Sequence, residues 1–310
     1  MSYKQKKLLI VYIYIYIYSV GRHGFADDAQ MQNEFDLSCK TSFKSALLSI
    51  ENCCLDVNHW MIINRLKLNC DKTEYIVYGT NYFFKKIGAI PDLQVCGNIV
   101  KVVQKVRNLG AICDKTLNMK LQINDVVKKG TYTLRAIRRI RKFVPFAVLK
   151  SLVVMLVISR IDFVNGLYTN LSKFEIHRLD VLLNNAARLI TFTSRYVSIT
   201  PVLKDLHWLR VEYRVKYKCC IYVHKSLYNP KVPAYIKNMF VKQNYIRCTR
   251  LSKDFIRIVI PKVKTKVGEK CFQIVAIKSW NCLPIELRMI SNNASFKRNL
   301  KTFLFRQCFS

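Results

Sequence analysis

An α+β fold is expected, with strands and one long helix in the first third and helices in the remainder. Three patterns predict it. Apolar residues recur at helical spacing across 41–64, strand-length runs lie on either side of that stretch, and from about Met119 onward apolar residues fall at three- and four-residue intervals. The first helix is read from Ala46, Leu47, Ile50, Cys53, Cys54, Val57, Trp60 and Met61. Before it, strand–turn–strand is expected. After it, 66–69 and Glu74–Tyr78 read as short strands. Gly97-Asn98 reads as the turn of a hairpin between 93–96 and 99–103, and Asn108-Leu109-Gly110 opens a further strand ending near Cys113.

The helical part begins with 123–143. Next comes 146–162, apolar enough to be expected fully buried, then 171–190 with the stripe Leu179, Leu182, Leu183, Ala186, Leu189 and Ile190. A further helix is expected over 212–228, and beyond Pro230 the elements are short. The change of pattern places a boundary near residue 130. The expected division is a low-complexity segment 1–22, an α+β region 23–130, a helical region 131–210 and a basic region 211–310.

The 310 residues carry 52 Lys plus Arg against 19 Asp plus Glu, a net charge of +33. Such an excess repels itself unless a polyanion is near, so nucleic acid is the first partner to consider and an anionic membrane the second. The excess runs through the chain: 200–310 alone hold 23 Lys plus Arg and 5 acids, interleaved with Tyr, Phe and Trp. That mixture suits phosphate pairing together with base stacking. Twelve cysteines include no C-x-x-C spacing, which argues against a zinc module and for reduced thiols inside the cell.

Lys4, Lys6 and Lys7 precede an apolar run over 8–20, which is too short to cross a bilayer as a helix. Its four tyrosines and lack of a small-residue cleavage site argue against a signal peptide. The alternation from Tyr12 to Tyr18 is what a TATATA repeat encodes, and such β-formers would make a sticky strand. No stable membrane association is expected. His59, His177, His207 and His224 have no Ser or Cys arrangement nearby that would support nucleophilic catalysis, and no phosphate loop or dinucleotide glycine pattern occurs.

The sharpest local feature is Phe25-Ala26-Asp27-Asp28. Two adjacent carboxylates on a tight turn repel each other, and a divalent cation relieves that repulsion. Phosphoryl-transfer enzymes use such carboxylates to hold metal ions. The string is followed in order by Trp60 and then Asn64-Arg65-Leu66-Lys67-Leu68-Asn69-Cys70-Asp71-Lys72-Thr73-Glu74. Val106-Arg107-Asn108-Leu109-Gly110 comes next with Asp114, then Ser159-Arg160-Ile161-Asp162 with Asn165. The series ends with Asn185-Ala186-Ala187-Arg188-Leu189-Ile190, Leu203 to Leu209, and Trp280-Asn281-Cys282-Leu283-Pro284.

In this order the strings resemble the reverse transcriptases of non-LTR retrotransposons, of the jockey-like and related lineages, over residues 23 to about 305. The resemblance implies a truncated right-hand polymerase palm, an all-helical thumb from about 120 to 210, and a mixed basic C-terminal region. It implies that Asp27 and Asp28 are catalytic metal ligands and that Lys72 is a candidate to protonate the leaving pyrophosphate. Asn108 and Gly110 would lie where the primer end is gripped. Arg135, Arg138, Arg139, Arg141 and Lys142 would place charge along a thumb helix that tracks a duplex. The implied cofactor of the intact enzyme is Mg2+ (or Mn2+), and its implied partners are an RNA template and a DNA primer or duplex, with no small-molecule cofactor. An intracellular location, nucleus or cytoplasm, is expected, since a long basic chain with no convincing secretion signal points to reduced thiols inside the cell.

The departures from the family pattern matter too. Ala29 stands where the family has Thr, and Arg210 where it has Pro. The family's other metal-binding aspartate, on a neighbouring palm strand, lies well before the Asp pair, as do the fingers. The 24 residues before Phe25 contain no Asp or Glu. The expectation is therefore a chain without polymerase activity by itself and without tightly bound metal. The alternative is a basic nucleic-acid-binding protein, or a decayed remnant, with no chemistry.

Overall fold

The structure is a computed structural model that describes residues 6–13, 23–25, 28–36, 40–242, 256–263 and 265–310. Up to residue 29, and at 34, 36, 40, 41 and 266, it describes backbone alone. It is an α+β chain of two compact units, Met1–Leu121 and Gln122–Ser310. The division falls at the start of a long helix, close to the change of sequence pattern.

The first unit is built on a four-stranded sheet of β1 (Lys6–Ile13), β2 (His23–Phe25), β3 (Asp28–Asp36) and β4 (Glu74–Tyr78), in the order β2-β3-β1-β4. Every neighbouring pair is antiparallel. Helix α1 (Lys40–Ile63) connects β3 to β4, and β1 is inserted between these two strands, a split β-α-β arrangement. The first half of the apolar run thus supplies the central strand, while 14–22, with most of the Tyr/Ile repeat, lies outside the described residues.

Alternation decides what each face buries. Met31 and Phe35 of β3, with Tyr75 and Val77 of β4, are buried with Ala46, Leu47, Ile50, Cys54, Val57 and Met61 of α1. Ile76 and Tyr78 are buried in a separate cluster with Val106 and Cys113. Each such apolar side chain contributes about 1.5–3 kcal/mol when taken fully from water. The α1 stripe was legible in sequence because its buried positions recur at helical spacing.

The expected strand over 66–69 does not form. Arg65 adopts φ +57, Leu66 N–H returns to Met61 O at 2.8 Å, and the chain enters a short 3-10 turn at Cys70–Lys72. Between β4 and the first hairpin lies an element that the apolar pattern did not announce, α2 (Asn81–Ile87), capped by Thr80, whose Oγ1 accepts from Phe83 N–H at 3.2 Å.

The hairpin β5 (Leu93–Val95)–β6 (Asn98–Val100) forms, but its turn is Cys96-Gly97, at φ +50 and +82, one residue earlier than expected. A two-residue turn of this twist needs positive φ at both positions. The resulting register buries Leu93, Val95 and Val100; a slip by one would expose them. Strands β7 (Lys105–Asn108) and β8 (Ala111–Asp114) make a second hairpin whose turn, Leu109-Gly110, has φ +45 and +87.

The second unit is helical: α3 (Lys120–Ile140), α4 (Phe146–Val153) continuing through a π turn (Val154–Ile158) into α5 (Ser159–Asp162), α6 (Lys173–Thr191), α7 (Ile199–Asp205) and α8 (Val211–Tyr228). Four more follow: α9 (Ala234–Lys237), α10 (Lys266–Glu269), α11 (Phe272–Asn281) and α12 (Ile285–Arg288); α13 (Asn293–Phe309) completes the unit. Helix α6 starts at a capping box, Ser172 with Glu175, and all six expected stripe residues are buried. Helix α8 is buried on several sides, against α6, α11 and α13.

The expectation that 146–162 is wholly buried is corrected. Leu149, Val153, Val157, Ile158 and Ile161 are buried, but Val148, Met155 and Leu156 are 50%, 69% and 42% exposed. Apolarity of a helix sets no limit on how many of its faces find a partner. Among the described residues no helix is long and apolar enough to cross a membrane. The ten described cysteines are free thiols. Cys219 and Cys220 on α8 are core groups whose ionisation burial opposes, that of Cys219 pushed up to about 12.

Candidate nucleic-acid interface

Phe25 pairs with Asp28 across β2 and β3, so the Phe-Ala-Asp-Asp string sits at the link between two adjacent antiparallel strands. Asp27 and the side chain of Asp28 lie outside the described residues. The strand next to β3 is β1, with Ile13 opposite Ala29 and Tyr12 opposite Gln30. Its eight residues, Lys-Lys-Leu-Leu-Ile-Val-Tyr-Ile, include no carboxylate. Tyr12 also pairs with Glu74 of β4, so the residues just before Glu74 lie at the same end of the sheet as Asp28. Two strand spacings, on the order of 10 Å, separate β3 from β4 there.

Lys72 is at that end. It is exposed, on the 3-10 turn that leads into β4, with its N–H donating to Asn69 Oδ1 at 3.3 Å. Thr73 Oγ1 donates to Asn69 O at 3.1 Å. The Asn-x-x-Lys-Thr-Glu string is therefore a capped turn, and it fixes where Lys72 leaves the sheet.

The β7–β8 hairpin is tied to β3 by side chains: Gln30 Nε2 donates to Asn108 Oδ1 at 2.5 Å. Gln30 is two residues beyond Asp28 in the same strand, so Asn108 and the exposed Leu109-Gly110 tip belong to the neighbourhood of the Asp-Asp link. Asp114 is a turn-builder. Its Oδ1 accepts from Met119 N–H at 3.2 Å, and its Oδ2 accepts from Thr116 N–H and Oγ1. Among the described residues no three His, Cys, Asp or Glu side chains are gathered to hold a metal.

In the helical unit, α3 buries Ile123, Val126, Gly130, Leu134 and Ile137. It turns Lys128, Tyr132, Arg135 and Arg139 outward at i, i+4, i+7 and i+11, with Arg138 and Lys142 beside them. Lys128, Lys129, Tyr132 and Arg135 line a shallow concavity of about 660 Å³ together with Arg160 of α5. Asp125 pairs with Lys129 at 2.8 Å, which leaves most of this charge uncompensated. Arg141 differs from the rest: its guanidinium lies over the Phe192 ring at 4.5 Å. Arg160 serves the π turn as well, its Nε donating to Leu156 O at 2.8 Å, while Ser159 Oγ donates to Met155 O. Both side chains thus bond back onto carbonyls of the π turn.

The structure brings together two strings far apart in sequence. Asp162 and Asn165 line a cavity of about 330 Å³ with His207, Trp208, Leu209 and Arg214. Arg214 Nη1 pairs with Asp162 Oδ2 at 2.7 Å, and its Nε donates to Leu209 O at 2.8 Å. Asn165 is buried, and its Oδ1 has no partner among the described residues, an arrangement that costs about 1–3 kcal/mol. Burial raises the ionisation of Tyr217, a further lining residue, above the ordinary phenol value. His207 holds φ +54, donates Nδ1–H to Lys204 O at 2.8 Å and meets Phe305 edge-on. Arg210 has φ −63, a value proline also adopts.

Gln30 and Arg214 carried no signal in the sequence, and Arg160 stood in a quoted string with no role assigned to it. Their partners come from other elements or from a π turn that periodicity does not reveal. Neither a protein-family model, nor a curated protein, nor a solved structure matches the chain.

Proposed function

We propose that this chain is a nucleic-acid-binding protein derived from the RNA-directed DNA polymerase of a non-LTR mobile element. Residues 23–130 correspond to a partial palm, 131–210 to a thumb, and 211–310 to a basic C-terminal region. It holds an RNA template, a DNA primer or their duplex, in the nucleus or cytoplasm, and does not extend a primer by itself. One observation carries this reading: the Phe25–Asp28 string links two strands at the edge of a β2-β3-β1-β4 sheet, with the Asn108 hairpin bonded to β3 beside it. The exposed cations of α3 support the binding part, since released counterions drive association with a polyanion.

The sequence of β1 supports the reading without chemistry. The strand next to β3, Lys6–Ile13, has no acid, so it offers no second carboxylate wall beside β3. Mg2+ (or Mn2+) belongs to the intact enzyme. Here two acids on one link hold the ion loosely, because Mg2+ sheds its waters reluctantly.

The test is primer extension on an RNA template with either metal, comparing the 310-residue chain with Asp27→Ala, and duplex binding on the same preparations. No product from either chain, with binding retained, is expected. Product from the wild type that disappears in Asp27→Ala overturns the inactive reading. Replacing Arg135, Arg138 and Arg139 together by Ala is expected to reduce the slope of log affinity against log salt by about 2–3. An unchanged slope removes α3 from the interface.

A further inference from the structure

We propose that the cavity formed by the π turn, α5, the 207–209 turn and α8 holds one nucleotide of a single strand, its base inside and its phosphate at the mouth. This rests on the nucleic-acid reading of the chain and adds a second mode of contact to it. The inner determinant is Asn165, only 4% exposed. Its Nδ2 donates to Asp162 Oδ1 at 3.3 Å. The Asp162 carboxylate, paired with Arg214, accepts here, so this contact fixes the amide, and Oδ1 is the acceptor left without a partner. A donor in the cavity would complete the bonding of this oxygen, and an exocyclic amino or ring N–H of a base supplies one where a bare phosphate does not.

The rest of the cavity selects in the same direction. Its volume of about 330 Å³ is too small for a duplex and lies at the lower end of the range for small-molecule sites. Trp208, 6% exposed, contributes an aromatic wall of the kind on which bases stack. Of the three cations that line it, Arg214 is taken by Asp162 at 2.7 Å. Lys218 and Lys301 make no ion pair among the described residues, and Lys301 is exposed. One acid against three cations leaves the lining positive, which suits a phosphate beside a base. Lys218 also lies over the Tyr222 ring at 5.8 Å, and a trapped water would satisfy Asn165 alone and leave Lys301 at the lining without a partner charge.

The full chain is titrated with AMP, GMP, CMP and UMP, and separately with inorganic phosphate, following tryptophan fluorescence. At least one mononucleotide is expected to give a saturable change that is absent from Trp208→Phe. Lys301→Ala, a change at an exposed position, is expected to weaken it about five-fold. Asn165→Leu, which removes the acceptor, is expected to weaken it further with an unchanged circular dichroism spectrum. The proposal is overturned if no mononucleotide changes the signal, if Trp208→Phe responds equally, or if inorganic phosphate saturates the signal at the same concentration. Duplex binding measured alongside separates the two ideas. Retained duplex binding without a mononucleotide response removes the cavity alone, and loss of duplex binding removes the broader reading.

Discussion

The strings that stand out in the sequence sit differently in the two units. In the sheet unit they fall where strands end: Phe25–Asp28 at a link, Asn69–Glu74 on a capped turn, Asn108–Gly110 at a hairpin tip. Lys72 and Gly110 are exposed. In the helical unit the corresponding strings are mostly core. Ala186, Ala187, Leu189 and Ile190 are buried, as are Leu203, Leu206, Trp208 and Leu209, and Trp280 is fully enclosed. Asn281 there behaves as a backbone mimic, accepting from Ile258 N–H at 3.1 Å and donating to Ile258 O at 2.9 Å. A recognisable string therefore marks a presented group in one unit and a packing solution in the other. The cavity around Asn165 is where the helical strings face open space instead.

The comparison breaks most readily on stability. Trp280→Ala removes an indole that packs on Phe296 at a centroid distance of 5.7 Å and donates to Ile256 O at 3.0 Å. The expected loss is about 3–5 kcal/mol. Lys72→Ala, from an equally recognisable string in the sheet unit, is expected to stay within about 0.5 kcal/mol. Denaturant unfolding of both variants checks the pair. Similar losses in the two would show that position in the fold does not separate these strings.

A smaller effect is expected from backbone approach. A Cβ on Gly130 of α3 would lie 2.6 Å from a Leu182 methyl, and Leu182 is 2% exposed on α6, with little room to move. Gly130→Val should cost about 1–3 kcal/mol. In the sheet unit, a Cβ on Gly79 would lie 2.2 Å from the fully buried Phe83 ring, so Gly79→Ala should cost a similar amount. Thermal melts at fixed pH read both. A Gly130 variant as stable as wild type would mean that α3 and α6 are less tightly packed than described.

The smallest effect is a pH dependence of the helical core. His224 is buried, stacked on Phe296 at 4.1 Å, with Nε2–H donating to Ile290 O at 2.7 Å. Burial holds its pKa below the ordinary imidazole value, opposed by the Ile290 bond and reinforced by Lys297. The unfolded chain thus takes up the proton first. The stability that the neutral ring contributes is present above the unfolded pKa near 6.5 and is lost as pH falls toward the depressed folded value. Melting temperature should fall on going from pH 7 to 5, and His224→Phe should flatten that slope. A wild-type melt independent of pH in this window would place the ring in contact with water.

What the sequence determined was local. Apolar spacing specified α1, α6 and α8 to within a few residues, because a helix writes its buried face into every third or fourth position. The mixed α+β character and the excess of basic charge were equally legible. The order of the strings suggested a relationship, and the aromatic-Ala-Asp-Asp string suggested where to look. What only tertiary structure decided was pairing. The apolar run before Phe25 becomes, through Lys6–Ile13, the strand between β3 and β4. Cys96-Gly97 takes the turn, because burial of Leu93, Val95 and Val100 fixes the register. One face of 146–162 stays exposed, because neighbours, not composition, cover a helix. Asn165 and Trp208 come to line one cavity, with Arg214 between Asp162 and Leu209, only once the helices pack. Periodicity records which side of an element is buried; it carries no record of which other element does the burying, and the candidate site is made of those long-range meetings.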